Sequence, residues 1–123
     1  MRYSATLLDH FLNPRNAGMM REPDGVGEQQ DGDCGDLARF FLRARDGVVK
    51  EARFQTWGCG PTIAAASAAS ELVAGRRLAA VAALEAREVE RALDGLPDDR
   101  KHAADVVAAA LRAAARDCLT RRN

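Results

Sequence analysis

The stretch Thr56-Trp57-Gly58-Cys59-Gly60-Pro61-Thr62 decides the fold, because the hydropathy pattern changes period across it. Before it, apolar and polar residues alternate as in a strand. After it comes an alanine-rich run from Thr62 to Ala74 with helical spacing, carrying Ile63, Leu72 and Val73 among small residues. Cys59 therefore sits at a strand-to-helix switch. A glycine on each side lets the backbone bend there, and Pro61 suits the first turn of a helix, where a missing N–H costs nothing. A thiol so placed faces the positive end of a helix dipole, which favours the thiolate, the form that binds metal and attacks sulfur. Taken alone, a cysteine in such a turn reads as a packed structural thiol, since free cysteine is among the most buried residue types.

Outward on the N-terminal side, a strand from Val48 or Val49 to Trp57 follows Asp46-Gly47, a strong hairpin signal. From Leu37 to Arg45 the pattern alternates again. Ala38, Phe40, Leu42 and Ala44 make an apolar face, and Arg39, Arg43 and Arg45 point away, with Leu37 and Phe41 mixed among them. A two-residue Asp46-Gly47 turn makes paired positions sum to 93, which sets Phe40 opposite Arg53 and Leu42 opposite Glu51. A loop centred on Gly47 makes the sum 94, which sets Phe40 opposite Phe54 and Leu42 opposite Ala52. The second register keeps one face apolar and is the expected one. Extended, it places Cys59 opposite Gly35, between Cys34 and Asp36. In either register, Asp33-Cys34-Gly35-Asp36 and Gly58-Cys59-Gly60 meet at one end of the hairpin.

Toward the N-terminus, Ser4 is a helix cap for a stripe of Leu7, Leu8, Phe11 and Leu12 that ends at Pro14. His10 lies beside that stripe and reads as a satisfied histidine, not a ligand. Residues 14–33 are rich in glycine and proline and read as loop, with a short strand near Val26. Toward the C-terminus, Gly75 closes the alanine-rich helix. A short segment from Leu78 to Leu84 and a helix from Glu85 to Leu93 follow. Asp98 or Asp99 caps a last helix to about Cys118, with a stripe of Ala103, Val106, Val107, Ala110, Leu111, Ala114 and Cys118. Two adjacent strands with several helices predict an α+β fold, its sheet covered on one face.

The chain has 123 residues, enough for one domain over residues 1–123. Its 18 basic and 18 acidic side chains balance, so it lacks the basic excess of a nucleic-acid binder. No apolar run reaches a membrane span, and Met1 to Leu7 lacks the pattern of a signal peptide. Three cysteines, Cys34, Cys59 and Cys118, read as thiols in a reducing, cytoplasmic setting.

A metal site needs several ligands at one point. Cys34, Asp36 and Cys59 converge by register, and His102, at the start of the last helix, completes a set of four. Two thiolates, an imidazole and a carboxylate suit zinc, or iron within a sulfide cluster. Cys118 lies roughly 24 Å farther along that helix at about 1.5 Å per residue and continues its apolar stripe, so its role is packing.

These residues resemble the IscU/NifU-type iron–sulfur cluster scaffold family over nearly the whole chain. The matching segments are Tyr3-Ser4, Leu8-Asp9-His10, Asn13-Pro14-Arg15-Asn16-Ala17-Gly18, Cys34-Gly35-Asp36, and Ala52 through Gly60. The resemblance implies a small α/β sandwich with a three-stranded, mostly antiparallel sheet. It implies assembly of a 2Fe–2S cluster from ferrous iron and sulfur delivered by a cysteine desulfurase, and passage of that cluster to acceptor proteins. The family's site has three cysteines, an aspartate and a histidine. Carried over, these are Cys34, Asp36, Cys59 and His102, with the aspartate as a hard ligand that makes the cluster labile. The third cysteine does not carry over, because Ala103 follows His102. Where bacterial IscU members read LPPVK, the segment grasped by a DnaK-type chaperone, this chain reads Leu96-Pro97-Asp98-Asp99-Arg100-Lys101, so chaperone handoff by that route is not implied.

Three readings follow. The first is a non-enzymatic scaffold or carrier for an iron–sulfur cluster or iron. The second is a zinc-dependent persulfide acceptor working with a desulfurase. The third is a relative that keeps the fold and binds a partner without metal, motivated by Ala103.

Overall fold

The computed structural model describes residues 3–32 and 35–121. At its centre, strand β2 (Leu37–Arg45) pairs antiparallel with β3 (Val48–Trp57), and β1 (Gly25–Gln30) pairs antiparallel with the other edge of β2. The hairpin uses both registers weighed from sequence. Asp46 and Gly47 have φ of 54° and 77°, and Arg45 pairs with Val48. This is the two-residue Asp-Gly turn, whose left-handed residues match the twist of the strands. It corrects the expected loop centred on Gly47. Between Ala44 and Arg43 the register then shifts by one, leaving Lys50 as an extra residue, and from Arg43–Glu51 to Leu37–Trp57 the expected pairing holds. A β-bulge thus lets turn chemistry and burial each take the register they favour.

One sheet face carries Ala38, Phe40, Leu42, Ala52 and Phe54, all buried, with the Phe40 and Phe54 rings 5.9 Å apart. Helix α2 (Gly60–Val73) packs on β3, and the long C-terminal helix, which ends the chain's element order, packs on β1 and β2 and against α2. That face is the covered one, as expected. Close approach depends on Gly27, where a Cβ would lie 2.1 Å from the Ala114 nitrogen and 2.5 Å from the Ala110 oxygen. On the opposite face, Arg39 pairs with Glu28 and Arg53 with Glu51. Phe41 and Met20 are also buried but lie outside the main core cluster.

Helix α1 (Ala5–Leu12) starts as predicted, with the Ser4 hydroxyl accepting from the Leu7 N–H at 2.9 Å. Its predicted stripe is corrected. Leu7 is buried, but Phe11 is 41% and Leu12 71% exposed, and the second buried position of α1 is His10. His10 is a satisfied histidine, its Nδ1 2.7 Å from the Ser67 hydroxyl of α2. The Asn13–Gly18 segment then runs as a strap. Arg15 N–H donates to Ser67 Oγ at 2.9 Å, and Asn16 Nδ2 to Ser70 Oγ at 3.0 Å. Phe54 N–H donates to the Asn16 carbonyl and Gly18 N–H to the Phe54 carbonyl, so the strap covers the free edge of β3.

After α2, the chain turns at Gly75, φ +86°, into α3 (Leu78–Val81) and α4 (Ala86–Ala92). Asp98 and Asp99 do not cap the last helix. They open a single 3-10 turn, Asp98–Arg100, and α5 runs from His102 to Arg121, three residues past the expected end. The predicted α5 stripe is buried throughout, and Cys118 packs in the core against Gly25.

Two predictions follow from this packing. Gly27→Ala forces a methyl into the α5 backbone and should cost at least about 2 kcal/mol, read as a lower urea midpoint; an unchanged midpoint contradicts the packing. Burial, reinforced by the Arg15 charge, holds the His10 imidazole below its ordinary value of 6.5 against the opposing pull of Glu71 and Asp9. Between that value and 6.5 the unfolded chain takes a proton that the folded one does not. Stability should therefore fall as pH drops below 6.5 and level off beneath the folded value, and His10→Gln should remove that part of the slope.

Candidate metal centre

The site forms where β2 begins, β3 ends, and helices α2 and α5 start. Asp36 directly precedes β2. Its loop is closed by the Asp31 N–H donating to the Asp36 carbonyl at 2.7 Å and the Gly35 N–H donating to the Asp31 carbonyl at 2.9 Å. Cys59 is the N-cap of α2, with Thr62 N–H bonded to its carbonyl at 3.1 Å, and His102 is the first residue of α5. The pairing Leu37–Trp57 carries the chain onward so that Asp36 reaches Gly58 and Cys59.

The Asp36 carboxylate is the hub. It is 5% exposed, and its Oδ2 lies 3.0 Å from His102 Nε2, 3.4 Å from Cys59 Sγ and 2.8 Å from the donating Thr62 hydroxyl. The Thr62 hydroxyl is also 3.3 Å from Cys59 Sγ. Burial works to raise the Asp36 pKa, but the hydrogen bonds from Thr62, Cys59 and His102 and the charge of His102 outweigh it, and the carboxyl is held below its ordinary value of 3.8.

One carboxylate oxygen, one sulfur and one imidazole nitrogen, from Asp36, Cys59 and His102, lie within 4.8 Å of one another. Tetrahedral sites with bonds of about 2.0–2.3 Å have ligand-to-ligand edges of roughly 3.3–3.8 Å. The 3.0 and 3.4 Å separations about Asp36 are close to those edges, and the oxygen, sulfur and nitrogen types are ones that zinc and iron accept. Cys34, the remaining sequence-predicted ligand, lies outside the described residues. Ala103, where the resemblance places a third cysteine, is fully buried in the core cluster. Cys118 takes no part in the site.

Two residues of the site escaped the sequence reading. Thr62 is not only the start of a helical run; its hydroxyl bridges two donor groups. The signal was its position three residues after the N-cap, which brings an N3 side chain back over the cap. Gly58 is not only a hinge. A Cβ there would lie 2.4 Å from Asp36 Oδ1, so the carboxylate occupies the space a side chain would take. Beside the site, the Phe11 ring rests against Gly60, and the Arg39 guanidinium lies 5.2 Å from the Trp57 ring centroid.

Comparison with known proteins shows the family of the chain. The family described as the NifU-like N terminal domain matches residues 2–123. The chain is 38% identical over 112 residues to the iron-sulfur cluster assembly scaffold protein IscU 1 of Archaeoglobus fulgidus, covering 91% of this chain and 73% of that protein. It is 35% identical over 121 residues to the scaffold protein IscU of Azotobacter vinelandii, covering 95% and 94%. A crystal structure of the N-terminal part of a NifU-like protein from Brucella abortus superposes with a TM-score of 0.66 at 24% identity, over 98% of this chain and 93% of that one. The chain belongs to the IscU/NifU family, and its α+β fold with a three-stranded antiparallel sheet is the fold of that NifU-like neighbour.

Gly58→Ala should leave the protein folded but push the Asp36 carboxylate aside. Its zinc affinity, measured by competition with a chromogenic chelator, should fall about tenfold or more, the scale of losing a positioned ligand environment. Affinity equal to that of the parent would show that Asp36 is not held for a metal.

Proposed function

We propose that this chain is a scaffold for iron–sulfur cluster assembly, holding iron or a nascent 2Fe–2S cluster as cargo on Cys34, Asp36, Cys59 and His102. The observation that carries this reading is the meeting of Asp36, Cys59 and His102 donor atoms within 4.8 Å at one end of the sheet. The names of the A. fulgidus and A. vinelandii relatives, both scaffold proteins, support it. The chemistry agrees. Thiolates suit iron and sulfide, while a carboxylate is a hard, exchangeable ligand among soft ones, as a carrier that gives up its cargo requires. Asp36 is buried, but the side chain of His102 keeps 23% of its exposure, so cargo has a way in and out.

A cysteine desulfurase as sulfur source and cluster acceptor proteins as recipients are part of the proposal. Chaperone handoff through the segment before His102 is not, because Asp98 and Asp99 there form an acidic 3-10 turn. Among the described residues, no helix is long and apolar enough to cross a membrane.

A second reading, a zinc-binding persulfide acceptor that works with a desulfurase, is favoured by Ala103, which leaves a set of four ligands sized for one tetrahedral ion. Anaerobic reconstitution with ferrous iron, sulfide and a thiol reductant separates the two. The scaffold reading expects a visible cluster absorption that Cys34→Ala and Cys59→Ala each abolish. A colourless parent that retains one tightly bound zinc and stimulates a desulfurase would overturn it in favour of the second.

A further inference from the structure

Thr62 makes polar contacts to two of the donor groups while being an uncharged alcohol, outside the usual ligand types for zinc or iron. It is fully buried, and its hydroxyl stands 2.8 Å from Asp36 Oδ2 and 3.3 Å from Cys59 Sγ. Each of the other two groups that bond to Asp36 Oδ2 is itself a donor to a metal. A metal held here would take Cys59 as a thiolate and His102 through a ring-nitrogen lone pair, so neither would donate a hydrogen bond to the carboxylate. The Thr62 O–H keeps its proton. Among the described residues bonded to Asp36, it is the side-chain donor that survives loading.

We propose that Thr62 is the positioning residue of the site: its hydroxyl, donating to Oδ2, holds the Asp36 carboxylate in the arrangement that takes up metal. This rests on the metal-site reading above. Three features pre-set the hydroxyl. Thr62 lies in the first turn of α2, its N–H bonds to the Cys59 carbonyl at 3.1 Å, and a β-branched side chain has few χ1 options in a helix. Gly58 supplies the complementary constraint, leaving space for Oδ1 while Thr62 anchors Oδ2. Partners of this kind, which orient ligands without binding the metal, typically change affinity by about 10–100-fold when removed.

The test uses cobalt(II) as the probe, on the full chain, with the parent, Thr62→Val, Thr62→Ser and Thr62→Ala. Valine keeps the shape and removes the hydroxyl; serine keeps the hydroxyl. The expected result is cobalt affinity lowered about 10-fold or more in Thr62→Val, with an altered d–d absorption envelope and an unchanged circular dichroism spectrum. Thr62→Ser should restore both affinity and envelope. If Thr62→Val does not fold, the same contrast is read between Thr62→Ala and Thr62→Ser. Parent-like affinity and envelope in the variant lacking the hydroxyl overturn the positioning role and leave the metal site standing. A parent that binds no cobalt overturns both. A Thr62→Ser protein as weak as Thr62→Val also overturns the proposal, because packing and not the hydroxyl would then be what matters.

Discussion

The pairing of Phe40 with Phe54 across β2 and β3 governs the rest of the structure. It places both rings on the face covered by α2 and α5, and every pair toward the open end of the hairpin inherits its register. A slip of one residue would turn one strand's core side chains to solvent and bring a different residue beside Gly58. The sheet therefore sets the position of Asp36 against Cys59 with the free energy that forms the core. For Asp36 and Cys59 the candidate metal centre needs no separate scaffold, because their backbone continues the β2–β3 pair.

Around that backbone, the site sets polarity against burial. Withdrawing a carboxylate from water costs several kcal/mol unless charge and hydrogen bonds replace the lost hydration. Asp36 receives that replacement from Thr62, Cys59 and His102, which belong to the starts of two helices. Helix α2 brings two of these groups and α5 brings the third, and the two helices pack on each other as well as on the sheet. The donor set is consequently buried at Asp36 and partly exposed on the side of His102. Such a pocket is consistent with the proposed role of holding a cargo and then releasing it.

Much of this was legible in the residues. The change of period at Trp57-Gly58-Cys59-Gly60 located the strand-to-helix switch, and the apolar faces of β2 and β3 identified the register through most of the sheet. The turn was misjudged because burial and turn chemistry favour registers one residue apart, and only a three-dimensional arrangement shows a bulge at Lys50 satisfying both. The exposed Phe11 and Leu12 broke the reading of α1 for a related reason. A short helix with apolar residues on two sides does not declare which side packs, and the polar Ser67 of α2 selected the side with His10. Residue type and spacing grouped Asp36, Cys59 and His102 with Cys34, and the structure brings the donor atoms of the first three within 4.8 Å. Thr62 and Gly58 were not, since the role of each depends on distances of 2.4–2.8 Å to a side chain more than twenty residues away. The Asn13–Gly18 strap was seen only as a matching motif; its bonds to Ser67, Ser70 and Phe54 give that motif a physical task.

The central claim is that one mixed sulfur, nitrogen and oxygen donor set binds the metal. X-ray absorption at the zinc edge of the protein loaded with one equivalent of zinc tests it most directly. The account predicts two sulfur neighbours at about 2.3 Å and two nitrogen or oxygen neighbours at about 2.0 Å. A first shell of nitrogen and oxygen alone, without sulfur, would contradict it.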